Sequence, residues 1–261
     1  MYKRQVLRYA QGNRFNKEKV FYTGSAFRKS YNKKNILIKQ IGMEIFSSKD
    51  ENKDDREIID TSIKVLKKTG FKKAKVEIGN FKLFELLIQK LSIPQRWKDR
   101  LIKFYWNKEY FSQLLKRLDS NSDIDPFIVA GDHKTYLKMK KEYPKKMIAG
   151  RTYEEIIERY ERKIKDPRLT KTGKTSSKII KEFLKIKCSL KDAPKKLNAF
   201  YKKYNLNISV AKEFFPISTS NQKDLKFEFS TSSGREREVE FYSSFIFSID
   251  VKIKGKAKTF I

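Results

Sequence analysis

The clearest alternation of apolar and polar positions lies between Phe21 and Phe46, in two segments joined by a short basic loop. Successive side chains of a strand point to opposite faces, so this alternation predicts a β-hairpin. In the second segment the odd positions are mostly apolar, whereas the even positions include Gln40, Gly42 and Glu44. We expect the odd face to pack on a core. The even face would then present polar groups beside a bare glycine, where a ligand can approach closely.

A helical pattern follows the hairpin. Apolar residues spaced three and four apart predict an amphipathic helix over residues 54–69. Asp54 or Asp55 is placed to cap its first turn, because a carboxylate accepts a hydrogen bond from the free N–H groups there. Gly70 is placed to end the helix, since glycine tolerates the left-handed backbone common at that position.

After residue 70 the pattern predicts mainly helices, followed by strands near the C-terminal end. These elements are a strand at 75–78, a helix capped by Asn80, a helical aromatic-rich stretch from 94 to 205 with helices at 176–187 and 193–204, and strands at 225–230 and 239–253. The predicted fold class is α+β. Its antiparallel sheet is expected to hold residues 20–28, 36–46 and 239–253, flanked by helices.

Composition narrows the function classes without naming one. The chain has 261 residues and a formal net charge of +30, but its lysines are scattered over every segment rather than gathered on one stripe. We therefore do not expect nucleic-acid binding to be the main role. No run is apolar enough to cross a membrane. Cys188 is the single cysteine, which excludes an internal disulfide and fits a cytoplasmic location.

Motifs near both ends of the chain resemble one family. The run aromatic-Tyr-x-Gly-x-x-Phe-Arg at 21–28 and the run Gln-x-Gly-x-Glu at 40–44 are similar to motif 2 of class II aminoacyl-tRNA synthetases, specifically the histidyl-tRNA synthetase branch. Residues 237–242 resemble that branch's signature Arg-Gly-Leu-Asp-Tyr-Tyr, with Val239 and Phe241 as replacements. The two signatures occur in the family's order with a helical stretch between them, which is more specific than either alone.

Within that branch the chain looks most like the regulatory subunit of ATP phosphoribosyltransferase, a non-catalytic paralogue that acts in histidine biosynthesis. Active synthetases carry arginines before the motif-2 glutamine to hold ATP, whereas aliphatic residues 36–38 stand there in this chain. An aliphatic side chain cannot replace an arginine that holds a phosphate. The resemblance therefore implies a protein that keeps a histidine site and lacks catalysis.

The resemblance also implies which side chains hold the ligand. Gln40 would take the amino group of histidine, Glu44 and Tyr242 the imidazole, and Arg237 would face the carboxylate. Arg28 is a further candidate contact for a phosphate or carboxylate. Gln40 and Glu44 are four residues apart, about 13 Å along a strand, which suits a free histidine with a hydrogen bond at each end. No catalytic residue, metal or cofactor is expected, and no metal-ligand spacing is present.

The resemblance implies a central fragment of a longer protein. Residues 1–5 are expected to be a non-native leader, 6–93 and 206–261 two parts of a synthetase-like core, and 94–205 a helical insertion. The second core part would stop before motif 3. The implied partners are a short-form ATP phosphoribosyltransferase catalytic subunit, L-histidine, and a second copy of the full-length protein. A fragment of a histidyl-tRNA synthetase and a basic RNA-binding module are the alternatives.

Overall fold

The structure is a computed structural model. It describes residues 8–9, 12, 19–27, 37–46, 49–71, 73–120, 134, 136–138, 140–141, 147, 150–164, 170–211, 214–215, 224–235, 244–253 and 256–260. The predicted leader at 1–5 lies outside these residues.

Helices and strands alternate irregularly along the described chain. The strands are β1 (Lys19–Phe27), β2 (Leu37–Ile45), β3 (Ala74–Asn80), β4 (Lys187–Ser189), β5 (Leu225–Ser230), β6 (Phe245–Ile253) and β7 (Lys256–Phe260). The helices are α1 (Glu51–Lys68), α2 (Phe81–Lys90), α3 (Gln95–Lys103), α4 (Lys108–Asp119), α5 (Tyr153–Ile164), α6 (Thr170–Phe183) and α7 (Ala193–Lys203).

The strands form two separate sheets. β1 and β2 are antiparallel and make a two-stranded sheet, while the other sheet has the order β4-β5-β3-β6-β7. In the five-stranded sheet β3 and β5 run parallel and the remaining neighbours run antiparallel. The α+β class is therefore confirmed. The expectation that the hairpin strands and β6 share one antiparallel sheet is wrong, because alternation along a strand does not specify which strand pairs with it.

The chain divides into two compact units. One contains residues 1–72 and 215–221, and the other contains residues 73–214 and 222–261. The hairpin and α1 belong to the first unit, and the five-stranded sheet with α2 to α7 belongs to the second. The division into two core parts and a helical insertion stays a prediction.

The first helix of the chain, α1, follows the predicted pattern with a different cap. The side chain of Asp50 accepts a hydrogen bond from the backbone N–H of Lys53 at 3.1 Å, so Asp50 is the N-cap rather than Asp54 or Asp55. Ile59 and Ile63 are buried along one stripe. Gly70 has a φ of +92° and follows the end of the helix, as its freedom in the left-handed region predicts.

The first turn of α1 makes stability depend on pH. Burial, together with the neighbouring carboxylates of Glu51 and Asp54, raises the pKa of Asp55 to about 6. The folded chain thus keeps a proton that the unfolded chain loses above its ordinary value of 3.8, so stability falls as pH rises through about 6. We expect Asp55→Asn to raise the free energy of unfolding near pH 8 by about 1 kcal/mol, a small gain because solvent screens a half-exposed group. Urea denaturation near pH 5 and pH 8 measures this. An equal gain at both pH values would contradict it.

The core of the second unit is an aromatic cluster around α2. The side chain of Asn80 accepts a hydrogen bond from the backbone N–H of Lys82 at 3.0 Å, which confirms the predicted cap of this helix. Phe84 is fully buried. Its ring centroid lies within 4.3–6.3 Å of those of Phe81, Tyr105, Phe111 and Phe183. The apolar face predicted from residues spaced three and four apart therefore does pack inside the unit.

Most of the remaining predicted elements occur near their expected places. β5 has the predicted bounds, β3 extends the strand predicted at 75–78, and α7 matches the helix predicted at 193–204. The helix predicted at 176–187 ends at Phe183, and Lys187 instead begins β4. Within the described ranges, no helix has both the length and the apolar character that crossing a bilayer requires.

Candidate functional site

The register of the hairpin brings the predicted polar residues together. Tyr22 of β1 stands directly opposite Gly42 of β2, and Gln40 stands opposite Gly24. Even-numbered residues of both strands share one face, because a paired position and its partner point to the same side of the sheet. Gln40, Gly42 and Glu44 therefore lie in a row along β2, with Tyr22 beside the middle of the row.

The ring of Tyr22 lies across β2 above Gly42. A Cβ atom placed on Gly42 would come within 2.2 Å of Cζ of Tyr22, so only a glycine leaves room for the ring in this position. The Tyr22 hydroxyl lies between the two predicted ligand residues. It donates to Oε1 of Glu44 at 3.3 Å and accepts from Nε2 of Gln40 at 3.4 Å. Both distances are long for hydrogen bonds of these types, so both bonds are weak and a ligand can replace them.

The two faces of the hairpin differ in exposure, in the opposite sense to the prediction. Gln40, Gly42 and Glu44 are half-buried. On the odd face Phe21 is 65% exposed and Ile41 is 77% exposed. The expectation that the odd face packs on a core is therefore wrong for these residues. Alternation shows which residues share a face, but only tertiary contacts decide which face is covered.

The structure describes two of the four residues of the predicted histidine site, Gln40 and Glu44. Gln40 and Glu44 occupy one face of β2 on either side of Gly42, as predicted from the sequence. Arg28, Arg237 and Tyr242 lie outside the described residues. The expected site required the strands of Gln40 and Tyr242 to lie in one sheet. The hairpin and β6 lie in different sheets, so this argument for the site no longer holds. The site of Gln40, Glu44, Arg237 and Tyr242 stays a prediction.

Tyr22 is the member of this site that the sequence prediction missed. Its place between Gln40 and Glu44 depends on the pairing of β1 with β2, and a single strand's alternation does not reveal that pairing. The only hint of this contact in the sequence was Gly42. A glycine inside a strand often marks a close approach by another group, and here that group is an aromatic ring of the same sheet.

The arrangement suits a ligand that carries hydrogen-bond donors. The carboxylate of Glu44 accepts hydrogen bonds only, and a charge-assisted bond to a cationic or N–H group is the strongest that it can make. The amide of Gln40 offers both a donor and an acceptor. Among the described residues, no cluster of three or more His, Cys, Asp or Glu side chains is arranged to hold a metal ion.

Known proteins resemble this chain over large parts of its length. The model of the family described as Histidyl-tRNA synthetase matches residues 3–142, which is more than half of the chain. A protein of Clostridium acetobutylicum named ATP phosphoribosyltransferase regulatory subunit is 38% identical over 116 residues, 43% of this chain and 28% of that protein. A protein of Allorhizobium ampelinum with the same name is 24% identical over 243 residues, 87% of this chain and 65% of that protein. The chain thus spans less than two thirds of either relative.

A solved structure, the ATP phosphoribosyl transferase (HisG:HisZ) complex from Thermotoga maritima, aligns with 98% of this chain and 77% of the matched chain, at 14% identity and a TM-score of 0.42. The match over residues 3–142 includes the whole hairpin with Gln40, Gly42 and Glu44. It also includes the buried helix α2. Because the family model matches more than half of the chain, the chain belongs to the histidyl-tRNA synthetase family.

Proposed function

We propose that this chain is part of a non-catalytic regulatory subunit of ATP phosphoribosyltransferase, which binds L-histidine and controls a short-form catalytic subunit in the cytoplasm. The observation that carries the proposal is the placement of Gln40 and Glu44 around Gly42 on the half-buried face of the hairpin. The two curated relatives described above bear the name of this subunit.

Histidine recognition would use complementary polar groups. The amino group would donate to Gln40, and the imidazole would donate to Glu44 and contact Tyr242, with Arg237 on the carboxylate side. Tyr22 now bridges Gln40 and Glu44 through two weak hydrogen bonds. Histidine would exchange these for stronger ones to itself, so Tyr22 would turn aside or serve as the floor beneath the ligand.

The motif-2 segment argues against an active synthetase. Activation of an amino acid with ATP needs donors that hold the phosphates, and arginine provides them in a planar fork. In this chain residues 36–38 are Ile-Leu-Ile, immediately before Lys39 and Gln40. The segment keeps polar groups for an amino acid and offers aliphatic groups where the phosphates would lie.

Control of a catalytic partner would follow from linkage between sites. Histidine would shift the complex toward its inhibited state if it binds that state more tightly than the active one. The size of the shift equals the difference between the two binding free energies. The rate of the catalytic subunit would thereby fall as the concentration of histidine, the end product of the pathway, rises.

The full-length protein is expected to bind L-histidine and to form no histidyl-adenylate. Isothermal calorimetry with L-histidine measures the first property, with L-alanine as a control ligand that keeps the amine and carboxylate but lacks the imidazole. Pyrophosphate exchange with histidine and ATP measures the second.

The two assays separate this proposal from its alternative. Robust pyrophosphate exchange would make the protein a histidyl-tRNA synthetase, which the matching family description favours as the second candidate. Equal heats for histidine and alanine would remove the specific imidazole site.

A further inference from the structure

A cavity of about 290 Å³ lies within the second compact unit, beside the turn that follows β5. Its lining comes from four parts of the fold: the turn residues 232–235, residues 246–248 and 250 of β6, Glu77 of β3, and Lys108 at the start of α4. Gln40 and Glu44 of the proposed histidine site belong to the other unit. The cavity is therefore a candidate site to which Gln40 and Glu44 do not contribute.

Arg235 is the most unusual group in this lining. It is only 9% exposed. Its Nε–H donates to the backbone oxygen of Tyr105 at 3.0 Å, and its guanidinium carbon lies 5.0 Å and 4.6 Å from the ring centroids of Tyr105 and Phe111. Two aromatic rings and one hydrogen bond thus hold the guanidinium in a fixed position at the cavity.

No carboxylate of the described residues forms an ion pair with Arg235. Burial lowers the pKa of Arg235, but an arginine stays charged in a protein. Buried charges are normally paired, because an unpaired one loses its hydration without compensation. Among the described residues the guanidinium of Arg235 is therefore charged, buried and without an ion-pair partner at the wall of a cavity, an arrangement that favours an anionic ligand.

The turn that carries Arg235 is anchored on both sides. The hydroxyl of Tyr105 donates to the backbone oxygen of Thr231 at 2.6 Å, at the start of the turn. Gly234 has a φ of +82°, and Gly79 of β3 packs so close that a Cβ there would lie 2.8 Å from Cβ of Ser233. The cavity therefore has a preformed wall with Ser232, Ser233 and Arg235 side by side, which lowers the entropic cost of binding.

The acidic residue Glu77 of the lining has a cationic partner of its own. It accepts a hydrogen bond from Nζ of Lys187 at 2.8 Å. Lys108 lies at the first residue of α4, where the helix dipole is positive. The lining thus contains two cationic side chains, Arg235 and Lys108, beside Glu77 and Asp250.

We propose that this cavity binds a small oxyanion, a phosphate or a carboxylate, through the guanidinium of Arg235 and the hydroxyl of Ser233. The planar fork of a guanidinium matches two oxygens of either group. The size of the cavity admits a small metabolite that carries such a group, rather than a macromolecule.

The proposal can be tested by titrating the 261-residue chain with inorganic phosphate and, separately, with malonate. Sodium chloride keeps the ionic strength constant. Calorimetry reads affinity, and thermal unfolding reads the accompanying stabilisation. Arg235→Lys keeps the charge and removes the fork, so we expect it to weaken binding about tenfold or more. Arg151→Lys, at an exposed arginine outside the lining, is the matched control and should bind as the original chain does.

A second variant keeps the test valid if Arg235→Lys does not fold. Ser233→Asp places a carboxylate beside Arg235 and should abolish anion binding while raising the melting temperature in anion-free buffer. Binding of phosphate alone, malonate alone or both supports the proposal and identifies the chemical group. The absence of binding by either anion, or equal weakening in Arg235→Lys and Arg151→Lys, would overturn it. The histidine assays use a different ligand and a different variant, Glu44→Ala, so either proposal can fail while the other holds.

Discussion

Replacing Phe84 with alanine is expected to lower the free energy of unfolding of the second compact unit by about 3–5 kcal/mol. Phe84 is fully buried, and four other aromatic rings surround it. The substitution removes the ring's transfer free energy and leaves a cavity that its neighbours cannot fill without leaving their own packed positions. Denaturant unfolding followed by circular dichroism measures the change.

The matched control for this substitution is Phe21→Ala. Phe21 is 65% exposed, so the same truncation there should change stability by no more than about 0.5 kcal/mol. A loss below about 1 kcal/mol for Phe84→Ala would show that the aromatic cluster is loosely packed.

Replacing Glu44 with alanine is expected to weaken histidine affinity of the full-length protein roughly tenfold to over a hundredfold. Loss of one charge-assisted hydrogen bond to the ligand costs about 1.5–3 kcal/mol. Feedback inhibition of the reconstituted enzyme should weaken more than activation of the catalytic subunit. The reason is that Glu44 lies on the proposed ligand face, whereas the proposed activation would depend on the surface that contacts the catalytic subunit. Titration of enzyme activity with histidine measures both effects.

Lys39→Ala is the control for the Glu44 variant. Lys39 is exposed and belongs to the same strand but to its opposite face, so its truncation tests any general effect of altering β2. An unchanged inhibition curve with a collapse of basal activity in Glu44→Ala would mean that Glu44 supports the fold through Tyr22 and does not contact histidine.

Helix and strand ends that depend on residues close in sequence could be predicted from the sequence. The helix after Asn80 begins where expected because one side chain caps its first turn, and β5 has the expected bounds. The end of α1 shortly before Gly70 follows from the backbone freedom of this glycine. The N-cap of α1 was placed incorrectly at Asp54 or Asp55, since several acidic residues near a helix start can each serve as the cap.

Part of the candidate site was predictable for the same reason. A period of two along one strand is enough to place Gln40, Gly42 and Glu44 on a common face, and the register confirms it. The position of Tyr22 between them needed the pairing of a second strand, which is a contact between distant residues. The sequence also led to the family, because the residues similar to motif 2 form two short runs, at 21–28 and 40–44, that can be read from the sequence alone.

Three properties were decided by the tertiary structure alone. These are the placement of the hairpin and β6 in different sheets, the exposure of Phe21 and Ile41 on the hairpin's apolar face, and the burial of Arg235 without a carboxylate partner among the described residues. Each depends on which distant segments come into contact, and local periodicity holds no information about that. Local sequence therefore determined the helices, most strands and the polar row on β2, whereas packing between distant segments determined which faces are covered and where the guanidinium of Arg235 is buried.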